Sequence, residues 1–251
     1  MNSEYKKDFS ISYTDSDRKI QLSLVNAISL VQNMVTEYFE MIGSDNIVLK
    51  RENNALWVLA KTKVHFNRHP EWKEKIKGST FTSKISPIRV ETETEFTDEY
   101  NNILFYAKQE TCAIDIDTRK IRKINTVNYP LDIETKSISD DLTYSKLNDE
   151  FTEKDKAYEQ IVYSTDIDYS GHTNNVIYVR HVLNSLSCEF LDNCEITDFE
   201  IHYINETREG QNIKIYRKIK ENEVLFLIKE GERDIIKAKL NYIKLDKKQE
   251  K

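Results

Sequence analysis

The sequence predicts an α+β protein made of two copies of one unit, a long helix followed by an antiparallel sheet. Three observations carry this expectation. Two stretches show helical spacing of apolar residues, each is followed by several strand-like runs, and the junctions before the two helices echo each other. In the first half, Leu24, Ile28, Val31, Val35, Tyr38 and Ile42 recur at spacings of four and three, which puts them on one helical face. Ser23 is placed to cap the start and Gly43 to follow as the C′ residue, so the spacing predicts a helix over about 23–42. Strand-like runs follow at 56–64, 85–96 and 103–116, with Asn101-Asn102 as the turn before the last.

The second half repeats the order. A helix is expected over about 174–187, with Val176, Val179, Leu183 and Leu186 on one side. Strands are expected at 196–205, 212–220, 224–229 and 234–245, where Ile213, Ile215, Arg217 and Ile219, then Ile236, Ala238, Leu240 and Tyr242, alternate. Tyr13-Thr-Asp-Ser-Asp17 precedes the first helix as Tyr163-Ser-Thr-Asp-Ile-Asp168 precedes the second. The first copy continues Arg-Lys-Ile-Gln and reads as lacking the Gly-His-Thr-Asn-Asn segment. Residues 134–156 are polar and charged without apolar period, which divides the chain into units at 1–133 and 157–251 joined by a linker.

Composition narrows the function classes. A hydrophobic fraction of 39% with 14 Tyr and 10 Phe supports a core, and 5 Gly and 3 Pro argue against long disorder. The net charge of −6 speaks against general nucleic-acid binding. No apolar run approaches the roughly 20 residues that span a bilayer, and the opening Met-Asn-Ser-Glu-Tyr-Lys-Lys-Asp lacks signal- or transit-peptide character, so a cytoplasmic location is expected. Cys112, Cys188 and Cys194 are odd in number and lack metal spacing, and read as core residues or free thiols. His65 and His69 flank Phe-Asn-Arg before Pro70; a loop is the better reading there than a metal site. No metal and no cofactor are expected.

The stretch Asp166-Ile-Asp-Tyr-Ser-Gly-His-Thr-Asn-Asn175 concentrates acid, hydroxyl, imidazole and amide groups before the second helix. If extended, it puts Asp166, Asp168 and Ser170 on one face, with His172 at the helix start where backbone N–H groups lack partners. Those are parts for hydrolysing an acyl bond. It also resembles the opening of a calcium loop, but position 12 falls on Ile177 where such a loop needs Glu. A plain polar turn with Thr173 or Asn174 capping the helix is the other reading.

Asp168-Tyr-Ser-Gly-His-Thr-Asn-Asn175 resembles the Asp-x-Asn-x-His-x-Asn-Asn motif of the acyl-acyl carrier protein thioesterases, and His202-Tyr-Ile-Asn-Glu-Thr207 is similar to their Glu-Tyr-Arg-Arg-Glu-Cys segment. In the first half Trp57-Val-Leu, Arg68-His-Pro-Glu-Trp72 and Thr80 resemble further family positions, so the likeness runs from about Ile11 to Ile243. The resemblance implies two tandem hotdog units of bacterial type, each a long central helix wrapped by a curved antiparallel sheet, with the second unit catalytic. It implies hydrolysis of fatty acyl-acyl carrier protein, with Asp168, Ser170, His172 and Glu206 catalytic and Glu206 as general base or, alternatively, as a nucleophile forming an anhydride.

On this reading backbone N–H groups at Gly171 and Thr173 serve the oxyanion, and Asn174 and Asn175 are structural support. Ser170 stands where the family has Asn, and Thr207 where plant members have Cys, which favours a carboxylate-and-water mechanism. The partner implied is an acyl-loaded carrier protein, with no nucleic acid and no membrane insertion; a homodimer is left open. A thioesterase or hydratase acting on coenzyme A esters and a non-catalytic acyl-binding module are the alternatives. Docking of an acidic carrier would need local basic residues: Arg180 and His181 on the helix and Lys214, Lys218 and Lys220 on the strand after Glu206, with Arg217 inward, or else Lys61, Lys63 and Arg68 in the first unit. No helix-turn-helix segment and no basic tail beyond Lys247 to Lys251 marks a regulator.

Overall fold

The computed structural model describes residues 3–139 and 142–245; the basic tail at 247–251 lies outside them. The chain divides into two compact units, Met1–Thr143 and Tyr144–Lys251. In the first, β1 (Glu4–Ser10) is followed by α1 (Leu24–Met41), the short α2 (Asn46–Asn53), β2 (Ala55–Phe66), β3 (Lys75–Ile85), β4 (Val90–Thr97) and β5 (Ile103–Asp115). In the second, β6 (Lys156–Ile161) is followed by α3 (Asn175–Asn184), α4 (Cys188–Asp192), β7 (Cys194–Tyr203), β8 (Asn212–Ile219), β9 (Glu223–Glu230) and β10 (Arg233–Lys244). The strands pair antiparallel in the order β1-β3-β4-β5-β2 in one unit and β6-β8-β9-β10-β7 in the other. The two units therefore share one strand order, with the long helix entering between the first strand and the second. No described helix is long and apolar enough to cross a membrane.

The first helix forms where its apolar spacing predicts. Ser23 accepts from the N–H of Asn26, and Gly43 ends the helix at a φ of 68° that few other residues tolerate. Its buried face carries Leu24, Ala27, Ile28, Val31, Met34, Val35, Tyr38 and Phe39. Burying each large side chain of that set contributes on the order of 1.5–3 kcal/mol before chain entropy is counted.

Several elements depart from the sequence expectation. The run expected at 85–96 is a hairpin: β3 ends at Ile85, the turn closes with Ser86 N–H donating to Arg89, and β4 starts at Val90. The helix expected over 174–187 stops at Asn184, and Ser187 caps a separate helix through Phe190 N–H. Strand β3 has a buried face of Ile76, Gly78, Thr80 and Thr82. A Cβ on Gly78 would stand 3.0 Å from atoms of Met34 and Phe96, so only glycine lets those side chains close there. Thr80 bonds Thr94, and Thr82 joins the hydroxyls of Tyr38 and Tyr129. Hydroxyl pairing thus replaces apolar burial.

The stretch 134–156 is tied down at both ends. In the first unit the buried carboxylate of Glu93 accepts from Ile138 N–H at 2.6 Å and from Ser137 Oγ, with Lys108 at 3.0 Å. In the second unit buried Glu200 accepts from Ser145 N–H at 2.7 Å and from its hydroxyl, and pairs with His202. Further on, Phe151 packs edge-on to Tyr216, and β6 already begins at Lys156.

Helix α3 buries His181 along with Tyr178, Val179 and Val182, and neither His181 ring nitrogen has a hydrogen-bond partner among the described residues. Burial lowers the pKa of His181 from its ordinary 6.5, with Asp166 opposing the shift and Arg180 adding to it. A group with a depressed folded pKa binds its proton more readily when unfolded, so its penalty grows as pH falls below about 6.5. We expect the thermal midpoint to fall as pH drops through that range, and His181→Leu to raise the midpoint and flatten this slope. An unchanged slope in the variant would locate the titration elsewhere.

Candidate active site

The approach to α3 is a set of tight turns, not the extended segment expected over 166–170. A single 3-10 turn, Ser164–Asp166, is closed by Tyr163 N–H donating to the Asp166 carboxylate at 2.9 Å. A five-residue turn follows: Asp168 N–H donates to His172 O at 2.9 Å, and Gly171 N–H donates to Asp168 O at 3.0 Å, with Gly171 at a φ of 78°. Asp168 Oδ1 accepts from both Ser170 N–H at 2.8 Å and Ser170 Oγ at 2.6 Å. Asp168 and Ser170 meet through this turn, and strand alternation has no part in it. Asn174 caps α3 through Val176 N–H at 2.9 Å, and Asn175 is the first helical residue.

Glu206 lies past the end of β7, not on a strand, within an irregular segment that packs on the helix start. Thr207 fixes that segment. Its carbonyl accepts from Thr173 N–H at 2.9 Å, and its hydroxyl stands 2.7 Å from Thr173 Oγ1 and 2.8 Å from Tyr178 Oη. With Thr207 turned inward, its neighbours turn outward: Glu206 Oε2 and Arg208 Nη2 each come to 3.3 Å from His172 Nε2. His172 Nδ1 is 3.2 Å from Ser170 Oγ.

The contacts behind the ring place one of its protons. Ser170 has one hydroxyl proton, and the Asp168 carboxylate can only accept it. The Ser170 oxygen then takes a proton from His172, which places N–H on Nδ1; at Nε2 the Arg208 guanidinium favours an acceptor and the Glu206 carboxylate a donor. The chain brings together Asp168, Ser170, His172 and Glu206, and adds Arg208, which sequence reasoning missed. Its signal was present: two residues beyond Glu206, it shares the outward face.

The N–H groups of Gly171 and Thr173, expected for an oxyanion, are already committed to Asp168 O and Thr207 O. Neither can serve without giving up a bond that builds the site. His69, weighed as a metal ligand, is buried, stacks on Phe66 and has its Nδ1 3.0 Å from Leu22 O.

The first unit lacks the Gly-His-Thr-Asn-Asn residues, as its sequence shows, yet it keeps the same turn. Asp17 N–H donates to Gln21 O at 2.8 Å, Ile20 N–H to Asp17 O at 3.1 Å, and Leu22 N–H to Pro70 O at 2.7 Å. Ser23 N–H donates to Asp15 O as Asn174 N–H donates to Asp166 O. Position by position, Asp17 answers to Asp168, Lys19 to Ser170, Ile20 to Gly171, Gln21 to His172 and His69 to Glu206. Ile20 holds a φ of 62°, strained for a β-branched side chain, where the second unit has glycine. The backbone is kept and the chemistry is absent.

Arg180 is exposed on the helix, and the lysines and Arg68 considered for docking are engaged within the chain. Lys214 pairs with Glu153, Lys218 with Asp155 and the Glu150 carbonyl, and Lys220 with Asp149 and Glu223. Arg217, expected inward, is half-buried like Lys214 and Lys218; Tyr216 between them is buried beneath Phe151 and bonds Glu153, while Ile219 is exposed. His181 is buried, so it offers no surface charge. In the first unit Lys61 pairs with Glu110, Lys63 bonds the Thr143 carbonyl and Arg68 pairs with Glu74.

Residues 2–128 match the family described as Acyl-ACP thioesterase N-terminal domain, and residues 149–246 match its C-terminal domain. The palmitoyl-acyl carrier protein thioesterase of Cuphea hookeriana is 24% identical over 218 residues, covering 80% of this chain and 51% of that protein. An acyl-[acyl-carrier-protein] hydrolase of Cuphea viscosissima is 22% identical over 214 residues, covering 80% and 52%. The chain spans about half the length of the curated relatives it matches. Among solved structures, an acyl-ACP thioesterase from Bacteroides thetaiotaomicron superposes with a TM-score of 0.89 at 20% identity, covering 96% of this chain and 98% of its own. The 12:0-ACP thioesterase of Umbellularia californica gives 0.85 at 14% identity, covering 97% and 98%. At these identities the likeness establishes a common fold.

Because Ser170 Oγ is the acceptor that holds the proton on Nδ1, Ser170→Ala should release His172 into a mixture of tautomers, whereas Ser170→Asn, with its carbonyl, should preserve the Nδ1–H form. The ring-nitrogen shifts of labelled His172 report this directly. Identical shifts in wild type and Ser170→Ala would take the hydroxyl out of the arrangement.

Proposed function

The chain belongs to the acyl-ACP thioesterase family, and from that premise we propose that it hydrolyses the thioester of fatty acyl-acyl carrier protein, releasing free fatty acid and holo-carrier protein. The proposal includes the finer architecture: both units are hotdog units, the first (1–133) non-catalytic, the second (157–251) catalytic, in a cytoplasmic protein. One observation carries the assignment of the chemistry. Only the second unit's turn presents an imidazole, with Glu206 at 3.3 Å from Nε2 and the Ser170–Asp168 pair behind Nδ1; the first unit has Gln21 at that position.

A water lodged over Glu206 and His172 gives one proton to the Glu206 carboxylate as its oxygen attacks the thioester carbonyl carbon. Nε2, held as an acceptor by the Asp168–Ser170 pair, takes the water's other hydrogen bond and aims its lone pair. The carbonyl π pair moves onto oxygen, where the Arg208 guanidinium supplies a cationic donor. When the tetrahedral adduct collapses, the carbon–sulfur bond breaks and the proton held by Glu206 passes to the departing thiolate. The carboxylic acid and the carrier thiol result, and Glu206 is returned as carboxylate. Thr207 at the position of a family Cys leaves no thiol to act as nucleophile there.

Glu206→Gln and His172→Ala should each lower turnover of an acyl-carrier-protein ester by about 100-fold or more, while Asp17→Asn in the first unit should leave it close to wild type. Near-wild-type turnover in folded Glu206→Gln would remove the base. Rapid cleavage of coenzyme A esters alone would shift the substrate class, and bound but unhydrolysed ligand would indicate an acyl-binding module.

A further inference from the structure

Three buried hydroxyls sit behind the site and take no part in the chemistry proposed above. Tyr178, Thr173 and Thr207 are 2%, 4% and 0% exposed. Their bonds close on themselves. Thr207 N–H donates to Tyr178 Oη at 3.0 Å, and Tyr178 Oη lies 2.8 Å from Thr207 Oγ1. Thr207 Oγ1 is 2.7 Å from Thr173 Oγ1, which reaches Thr207 O at 3.2 Å. In the order Tyr178 to Thr207 to Thr173 to the Thr207 carbonyl, each hydroxyl donates once and accepts once, and none is left unsatisfied.

The first unit supplies an internal control. Its counterparts of Thr173, Thr207 and Tyr178 are Leu22, Pro70 and Ala27, the last being the fourth residue of α1 as Tyr178 is of α3. All three are buried and apolar, and the turn and helix start they support have the same backbone bonds. The fold at this junction therefore does not need hydroxyls. Burying them carries a desolvation cost that apolar side chains avoid, and a partly satisfied network is worse than none. The hydroxyls occur in the unit that carries His172 and Glu206. They are also next to them in sequence: Thr173 follows His172 and Thr207 follows Glu206.

Resting on the thioesterase reading, we infer that Thr173, Thr207 and Tyr178 are positioning residues, a clamp of hydroxyls that sets the distance between His172 Nε2 and the Glu206 carboxylate. It ties the two segments together side chain to side chain, one residue away from each reacting group. The first unit joins the same segments through backbone groups and His69 Nδ1, which lies 3.0 Å from Leu22 O, with no hydroxyl pair between Leu22, Pro70 and Ala27. Tyr178 anchors the clamp to the helix body, because its ring is buried and its hydroxyl receives the Thr207 N–H.

The decisive variant replaces all three hydroxyls together, Thr173→Val, Thr207→Val and Tyr178→Phe, which removes donors and acceptors as a set. Tyr178→Phe alone and Thr207→Ser, which keeps the hydroxyl, accompany it. We expect the triple variant to fold with a thermal midpoint near wild type. Its kcat should fall about 10- to 100-fold with KM little changed, since a small misplacement of reacting groups costs that much. Tyr178→Phe should fall in the same direction, and Thr207→Ser should stay near wild type. The ring-nitrogen shifts of His172 should move in the triple variant and not in Thr207→Ser.

A triple variant that turns over like wild type, or that fails to fold while Tyr178→Phe is fully active, overturns the inference. Failure of the functional reading looks different. Wild-type protein inert toward every thioester would sink the hydrolase assignment, and the clamp would then stand or fall on whether the His172 shifts move in the triple variant.

Discussion

One backbone hydrogen bond recurs in both units and the rest of each junction depends on it: the N–H just before the helix cap donates to a carbonyl in the loop after the long strand. In the second unit it runs from Thr173 to Thr207, in the first from Leu22 to Pro70. The bond joins residues 34 positions apart in the second unit, so it forms only when helix and sheet are assembled. Once it is made, the residues before the cap turn back on themselves, and the residues flanking the carbonyl alternate outward. The five-residue turn closes through its own bonds, and what this bond sets is where the turn and the Glu206–Arg208 segment meet. A backbone bond of this kind contributes about 0.5–1.5 kcal/mol by itself, so its importance is geometric.

The same frame carries different side chains in the two units, and the differences separate what folding requires from what it does not. Gly171 meets a positive φ without penalty, whereas Ile20 meets it at the cost of strain. The strain is tolerated because Ile20 is held on both sides, its N–H bonded to Asp17 O and its carbonyl accepting from Trp72 N–H. Asp17 and Asp168 both fold their turns by accepting backbone N–H groups. An aspartate at this place is therefore accounted for by the turn alone. What distinguishes the second unit is the set that the turn does not need: Ser170, His172, Glu206, Arg208 and the buried hydroxyls.

How much of this was legible from sequence follows from where each interaction is made. Helix α1 was legible because its burial follows the helical period on one face, β8 and β10 because apolar residues alternate there, and β9 because Val224 to Ile228 is a continuous apolar run. Strand β3 was not, since Gly78, Thr80 and Thr82 fill its buried face and no hydropathy pattern marks glycine and threonine as core. Strand β6 is a short, largely exposed edge, polar enough to pass for linker. In the site, Asp168, Ser170 and His172 were legible because they meet within five residues. Glu206 was reached by resemblance, because the bond that brings it near is tertiary. Arg208 and the clamp act through contacts between segments about 30 residues apart or more, which spacing along the chain does not reveal.

The pairing of Glu206 with Arg208 has a consequence for how charge is arranged around His172. The two side chains carry opposite charge, flank one inward threonine and approach the same ring nitrogen at the same 3.3 Å. An acceptor Nε2 is attracted to the guanidinium and gains nothing from a bare carboxylate, so a water that donates to both Glu206 and Nε2 relieves a contact that is otherwise unfavourable. When the proposed base takes up a proton, the local charge shifts toward positive just as negative charge develops on the substrate oxygen. In the proposed mechanism Arg208 then changes partner from imidazole to oxyanion; Arg208 and Ser170 are exposed, so that exchange takes place at the surface of the unit. The turn supplies the orientation of the ring, the threonine between Glu206 and Arg208 supplies their divergence, and the chemistry needs both to be set before substrate arrives.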